Sequence, residues 1–190
     1  MGKKMKLNRK WINEEFVDLH EVSDKEFVET LTVFGQKVET WERMDAEIKN
    51  VVVGKVLSMV RHPNSDHMWI CQVDVGGDAP VQIVTGAQNV HEGDLVPAAL
   101  HNSWLPGGVH ITKGKLRGEP SNGMLCSFSE LGLTQNDLPG VFADGIWILN
   151  DEDCTIGEDI NLVIGNDDTV VDFEITNNRP DCYSIIGLAR

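Results

Sequence analysis

The chain has 190 residues, 41% hydrophobic and 24% charged, with 16 Lys and Arg against 30 Asp and Glu and a formal net charge of −14 at pH 7. That length holds one large or two small cores, and the composition is ordinary for a globular protein. The acidity excludes a chain that grips nucleic acid through a general excess of Lys and Arg, so any such contact has to be local, shape-dependent or shared with another chain. No apolar run is long enough to cross a bilayer. The basic start (Lys3, Lys4, Lys6, Arg9, Lys10) passes through Trp11-Ile12 straight into Asn13-Glu14-Glu15, without the apolar segment of a secretory signal. Neither signal nor membrane association is expected, and a cytoplasmic location is. Cys71, Cys126, Cys154 and Cys182 form no Cys-x-x-Cys pair. They are read as buried thiols of a reducing compartment rather than a zinc or redox site.

In chain order, residues 11–19 place Ile12, Phe16 and Leu19 at helical spacing. Ser23-Asp24-Lys25-Glu26 is a capping box, followed by an apolar stripe of Phe27, Val28, Leu31 and Phe34. Gly35 suits the left-handed position after the last turn, and residues 36–41 are expected to leave as a strand. A helical hairpin of this size cannot bury both faces by itself, so a partner elsewhere in the chain is expected.

From Val51 the pattern changes to short β-branched runs cut by Gly, Pro and Asn, the spacing of a small all-β barrel or sandwich. Gly54 inside an apolar strand points to a bulge or sharp coil. Residues 61–66 form a loop rich in turn formers. Residues 69–75 and 81–87 flank Gly76-Gly77 and are expected to pair as a hairpin. Residues 95–100 are a further strand, Leu105-Pro106-Gly107-Gly108 a turn, and 110–116 another strand. There Lys113 and Lys115, with Arg117 after them, recur at every second position and would share one face. Ser127-Phe128-Ser129-Glu130 is a second capping box, expected to open a short helix ending at Gly132, and 146–149 a closing strand.

After Asn150 the chain turns acidic. Val171, Phe173 and Ile175 alternate as one face of a strand over 169–176. Asn177-Asn178-Arg179-Pro180-Asp181 is a turn, with Asp181 placed to cap a helix over 182–190. That helix meets no stop signal, so the chain reads as part of a longer one. The expected fold class is α+β: a small unit from both chain ends (1–40 with 151–190) into which a five-stranded β-barrel (41–150) is inserted.

Few residues suggest chemistry. His62, Asp66 and His67 have metal-ligand character, but no third ligand is near in sequence and a turn-shaping loop accounts for them. Cys126 with a distant His would be a nucleophile and base, yet it sits in a run that reads as a buried strand. Gly76-Gly77 and Gly107-Gly108 lack the strand-to-helix setting of a phosphate loop. No catalytic or metal-binding residue is expected. The Lys113, Lys115 and Arg117 row is either a solvated strand face or a phosphate-contacting one. Five-stranded oligonucleotide-binding barrels use such a face together with their loops. Nearby aromatic residues are few (Trp69, Trp104, Phe128), which favours recognition of folded RNA by shape and backbone.

His62-Pro63-Asn64-Ser65-Asp66, the run Ile83-Val84-Thr85-Gly86-Ala87-Gln88-Asn89-Val90, Leu105-Pro106-Gly107-Gly108, Arg117-Gly118 and Ser121-Asn122-Gly123-Met124-Leu125-Cys126-Ser127 together resemble a known domain. It is the tRNA-binding domain shared by bacterial phenylalanyl-tRNA synthetase β subunits, methionyl-tRNA synthetase C-terminal extensions and free-standing tRNA-binding dimers. Lys10-Trp11-Ile12, Leu31-Thr32-Val33-Phe34-Gly35 and Ile175-Thr176-Asn177-Asn178-Arg179-Pro180-Asp181-Cys182 look like the start of the β-subunit family.

The resemblance implies an oligonucleotide-binding (OB) barrel and an accessory tRNA-binding and assembly role. It implies tRNA, the α subunit and the remaining β-subunit domains as partners in an α2β2 enzyme, with no DNA. ATP and Mg²⁺ are implied for the α subunit, with no cofactor and no catalysis in this segment. It also implies RNA contacts from the loop holding Asn64 and His67 and from Ser121 and Met124. His67 stands where a Lys is usual, removing a fixed charge at pH 7, and Phe128 and Ser129 replace residues that are commonly charged. A purely structural docking module and a free-standing tRNA-binding protein are the other expectations.

Overall fold

The structure, a computed structural model, describes residues 3–141, 144–150 and 154–190. Met1, Gly2 and the start of the acidic stretch, 151–153, lie outside the described residues. In chain order the elements are β1 (Lys3–Asn8), α1 (Arg9–Glu15), α2 (Asp24–Phe34), β2 (Val38–Arg43), β3 (Lys49–Arg61), β4 (Trp69–Asp74), β5 (Val81–Thr85) and β6 (Leu95–Leu105). There follow β7 (Val109–Ile111), β8 (Gly114–Leu116), β9 (Glu119–Ser121), β10 (Gly123–Leu125), α3 (Ile160–Val163), β11 (Thr169–Ile175) and α4 (Ile185–Ala189). They form two units: Met1–Ala46 with Asn166–Arg190, and Glu47–Gly165.

The first unit is the α+β one. Its antiparallel sheet has the order β1-β11-β2, so the strand from the end of the chain lies between two from its start. The alternation read in the sequence is realised: Val171, Phe173 and Ile175 are wholly buried on one face of β11. Against them pack Leu7, Ile12, Phe27, Val28 and Cys182 in a single apolar cluster, which is the partner the helical hairpin requires. The Ser23 hydroxyl caps α2, accepting from the Glu26 N–H at 3.2 Å. α1 has no cap of its own. Asp168 supplies it from the foot of β11, accepting from the Lys10 N–H at 2.8 Å and from Asn8 Nδ2 at 3.0 Å.

Four local expectations give way here. β1 is a strand that the basic composition hid, although Met5 and Leu7 alternate with Lys4 and Lys6. α1 stops at Glu15, short of Leu19. Gly35 has φ −130°, outside the left-handed region, and its N–H simply closes the last turn on the Leu31 carbonyl at 2.9 Å. The expected helix over 182–190 is split. A 3₁₀ turn, Pro180–Tyr183, precedes α4, whose cap is Ser184, accepting from the Gly187 N–H at 3.1 Å, not Asp181.

The second unit is the barrel. Its sheet runs β10-β6-β3-β4-β5, with β7 added to β6, and curls 268° about the barrel axis. β4 and β5 pair around Gly76-Gly77 as expected. Closure joins β5 to the β9–β10 segment: the Asn122 N–H donates to the Gln82 carbonyl at 2.9 Å, and the Val84 N–H to Ser121 Oγ at 3.0 Å.

β3 pairs with β6 through residues 49–55 and with β4 through residues 55–61, and its register shifts between Lys49 and Val51 and again between Val56 and Ser58. Such shifts coil a strand strongly. Gly54 lies between the shifts, and its part is close packing: a Cβ there would stand 2.6 Å from Val73 Cγ1. Val56, Cys71, Val73, Ile83, Val96, Ala98 and Leu125 fill one core. A second gathers Val51, Val53, Phe128, Leu131, Trp147 and Ile160.

Two more expectations are corrected here. The second capping box forms its reciprocal bonds, Ser127 N–H to Glu130 Oε2 at 2.7 Å and Glu130 N–H to Ser127 Oγ at 3.3 Å. Only a turn follows, because Gly132, at φ +78°, ends it. Residues 146–149 contribute one bridge, Leu149 to Leu95, rather than a strand.

Candidate nucleic-acid interface

Two connections of the barrel meet: residues 62–68, between β3 and β4, and the long excursion from β6 to β10 that contains the β8–β9 hairpin. Their joint is His62, only 3% exposed. Its Nδ1 accepts the Asn64 N–H at 3.0 Å, and its Nε2 lies 3.0 Å from the Leu116 carbonyl. A ring nitrogen that accepts cannot carry the proton, so the proton is on Nε2 and the ring is the neutral tautomer. His62 is thus a structural tie, not a metal ligand. Asn64 extends the joint, donating through Nδ2 to the Arg117 carbonyl at 3.3 Å, while Arg117 Nη1 reaches the Asn64 carbonyl at 3.5 Å.

The expected strand over 110–116 is not continuous. β7 ends at Ile111, and the Lys113 N–H turns to His101 Nδ1 at 3.0 Å instead of a ladder partner. Lys115 lies in β8 opposite Pro120. Arg117 and Gly118, at φ +49° and +100°, form the two-residue turn of the β8–β9 hairpin, the both-positive geometry that matches strand twist. The three cations are all exposed, but they share a segment and its turn rather than one strand face.

The other sequence-predicted residues divide. Asn64 and His67 are exposed on the loop. Ser121 is buried, and its hydroxyl donates to the Gly123 carbonyl at 2.9 Å while accepting from Val84. Met124 is half-buried against the core. These last two hold the hairpin and the barrel seam.

Sequence reasoning missed Arg61 and Gln88. The Arg61 guanidinium lies 4.8 Å over the Trp69 ring, and its Nη1 donates to the Asp66 carbonyl at 3.1 Å. Gln88 Nε2 donates to the His67 carbonyl at 2.9 Å. Position in the fold identifies both, since no spacing in the sequence singles them out. Arg61 and Arg117 therefore grip the same loop, at Asp66 and at Asn64.

The charge distribution differs between the units. In the α+β unit Arg9, Lys10, Lys25, Lys37, Arg43 and Arg179 each pair with a carboxylate. The barrel unit carries Lys49, Lys55, Arg61, Lys113, Lys115 and Arg117 against 15 acidic residues. Among the described residues none of these six pairs with a carboxylate. Four of them, Arg61, Lys113, Lys115 and Arg117, belong to the joint or its hairpin. Unpaired exposed cations remain available to an incoming phosphate.

Two thiols of the barrel core are poor nucleophiles. Burial and the neighbouring Glu130 charge push the Cys126 thiol up to about 12, and burial puts Cys71 at about 11. Both are therefore protonated at neutral pH. Among the described residues no three His, Cys, Asp or Glu side chains are grouped to hold a metal ion, and no helix is long and apolar enough to cross a membrane.

Residues 51–144 match the family described as a putative tRNA binding domain. Over 186 residues the chain is 51% identical to the phenylalanine–tRNA ligase β subunit of Clostridium acetobutylicum, covering 98% of this chain and 23% of that protein. The chain belongs to the phenylalanine–tRNA ligase β-subunit family. The β subunit of Clostridium tetani is 46% identical over 186 residues (98% of this chain, 22% of that protein), and that of Geobacillus kaustophilus 43% identical over 185 residues (97% and 23%). The chain thus spans under a quarter of the length of these β subunits. The β-subunit likeness takes in both units, whereas the tRNA-binding family takes in most of the barrel.

Proposed function

We propose that the chain is an accessory tRNA-binding and assembly module of a cytoplasmic phenylalanine–tRNA ligase, in which the barrel contacts the backbone of folded tRNA. The observation that carries this is the set of carboxylate-free cations on the loop joint and its hairpin, whereas six cations of the α+β unit are each paired with a carboxylate. Arg61 and Arg117 are each held by a loop carbonyl, so much of the entropy of ordering them is already spent in the free protein. Their remaining N–H donors, with Lys113 and Lys115, would neutralise phosphates and release counterions. Asn64 and His67 would add contacts of shape rather than base sequence, as folded RNA allows. Arg61 on Trp69 supplies a planar cation at the edge of this surface. Buried thiols suit a reducing compartment. Amino-acid activation, with its ATP and Mg²⁺, is assigned to the α subunit, as the likeness to β subunits implies.

Fluorescence anisotropy with tRNA and with an unstructured RNA of equal length tests this. Saturable binding that prefers tRNA and weakens with salt is expected, and equal or absent binding of both would refute it.

A second reading concerns the α+β unit. Trp11, Val33 and Phe34 are 54%, 72% and 85% exposed, more apolar surface than a free domain needs to show. They would serve assembly, docking this unit against the rest of the β subunit or the α subunit. Replacing Val33 and Phe34 by polar residues in the whole enzyme would then impair assembly while leaving tRNA binding by the barrel intact.

A further inference from the structure

Away from the loop joint, three exposed side chains form a row across three strands. Lys49 of β3 stands directly opposite Trp104 of β6, and Trp104 directly opposite His110 of β7. Directly opposed residues of antiparallel strands project to the same face. All three are exposed, and Trp104 is 42% exposed although its neighbours Ser103 and Leu105 are buried.

The row is pre-set. The rings of Trp104 and His110 are 4.3 Å apart and 13° from parallel. His110 Nε2 donates to Asn102 Oδ1 at 2.7 Å, which fixes the imidazole. Lys49, on the other side of the indole, has no carboxylate partner among the described residues. Lys113, also without one, is tied through its N–H to His101, next to Asn102.

We propose that this row is a stacking site for one unpaired nucleobase of a bound RNA. The proposal rests on the RNA-binding function above and adds to it a contact that reads exposed bases. A held aromatic ring with an adjacent unpaired ammonium matches a base and its phosphate: the indole offers a π face to any base, and Lys49 or Lys113 takes the backbone charge. The patch is one ring wide and edged by cations, which suits a nucleotide better than the broad apolar surface of a protein partner.

The test uses the full chain with Trp104→Ala and Trp104→Phe, binding tRNA and a blunt RNA duplex without unpaired bases. Trp104→Ala should weaken tRNA binding about tenfold and leave the duplex unchanged, and Trp104→Phe should restore most of the loss. Undiminished tRNA binding by Trp104→Ala, or an equal loss on both RNAs, overturns the stacking site while the RNA-binding function stands. Failure of the unaltered chain to bind either RNA overturns both. Lost association with a partner subunit at unchanged RNA affinity would mark the row as a protein contact instead. A measurement independent of any variant is quenching of 2-aminopurine placed at unpaired tRNA positions. Quenching at one position is expected, and its absence at every position overturns the proposal.

Discussion

His62 and Leu116 lie 54 residues apart in sequence, and the imidazole Nε2 is 3.0 Å from the Leu116 carbonyl. Through that bond, and the Asn64 N–H on Nδ1, the only well-buried histidine among the described residues fixes the 62–68 loop to the hairpin that carries Lys115 and Arg117. The cation-bearing joint is therefore assembled from two distant segments by one buried ring.

Replacing His62 by Leu keeps the site apolar and removes both bonds. A buried backbone group left without a partner costs about 1–3 kcal/mol, so the barrel should lose roughly that much stability in urea unfolding. RNA affinity should fall as well, although no cation has been removed. Unchanged stability would show that the loop and hairpin are held by other contacts.

Asp24 predicts the response of the α+β unit to acid. Partial burial pushes its carboxyl up, but hydrogen bonds from Arg9 and Thr169 and the charges of Arg9 and Arg43 outweigh this and hold it below the ordinary 3.8. A carboxylate whose folded value is depressed stabilises the fold fully above its unfolded value, and that contribution disappears as pH falls through the folded value. Unfolding midpoints should thus drop as pH falls below 3.8, and Asp24→Asn should flatten that dependence while lowering stability at neutral pH. An identical acid profile in the variant would contradict the assignment.

Gly123 is required by the barrel seam. A Cβ there would overlap the Ala99 carbonyl across the β10–β6 pair, a backbone group that cannot turn aside. Gly123→Ala should destabilise the barrel by about 1–3 kcal/mol and loosen the β9–β10 edge. Gly77→Ala, where a Cβ meets nothing within 4 Å, is the control and should be close to neutral.

Legibility from sequence followed the range over which each signal acts. The Val171, Phe173 and Ile175 alternation and the stripe of Phe27 and Val28 are local burial patterns, and each became the buried face expected of it. The hairpin around Gly76-Gly77 needed only local turn chemistry. The second capping box shows the limit of such signals: Ser127 and Glu130 satisfy each other, but two residues after Glu130 Gly132 leaves helical space, so the cap closes a turn.

Lys113, Lys115 and Arg117 were legible as a basic group, yet not in their geometry. Whether alternation continues past Ile111 depends on His101 capturing the Lys113 N–H. That is a contact between a β6 side chain and the link that follows β7, and no alternation pattern records it. Arg61 and Gln88 were invisible for the same reason: their relation to the loop exists only once β3, β4 and β5 have closed around it. β1 was hidden differently, because its lysines dominate a composition in which only Met5 and Leu7 carry the alternation.

Contact between the unpaired cations of the loop joint and tRNA phosphates is measurable as the salt dependence of tRNA affinity, for the native chain and for an Arg61→Gln, Lys115→Gln, Arg117→Gln variant. Each phosphate contact adds roughly 0.7–0.9 to the slope of log affinity against log salt. The variant should show a shallower slope, by about 2–3, with weaker binding at low salt, while Lys25→Gln on the α+β unit changes neither. A slope unaltered by the triple substitution would contradict that contact.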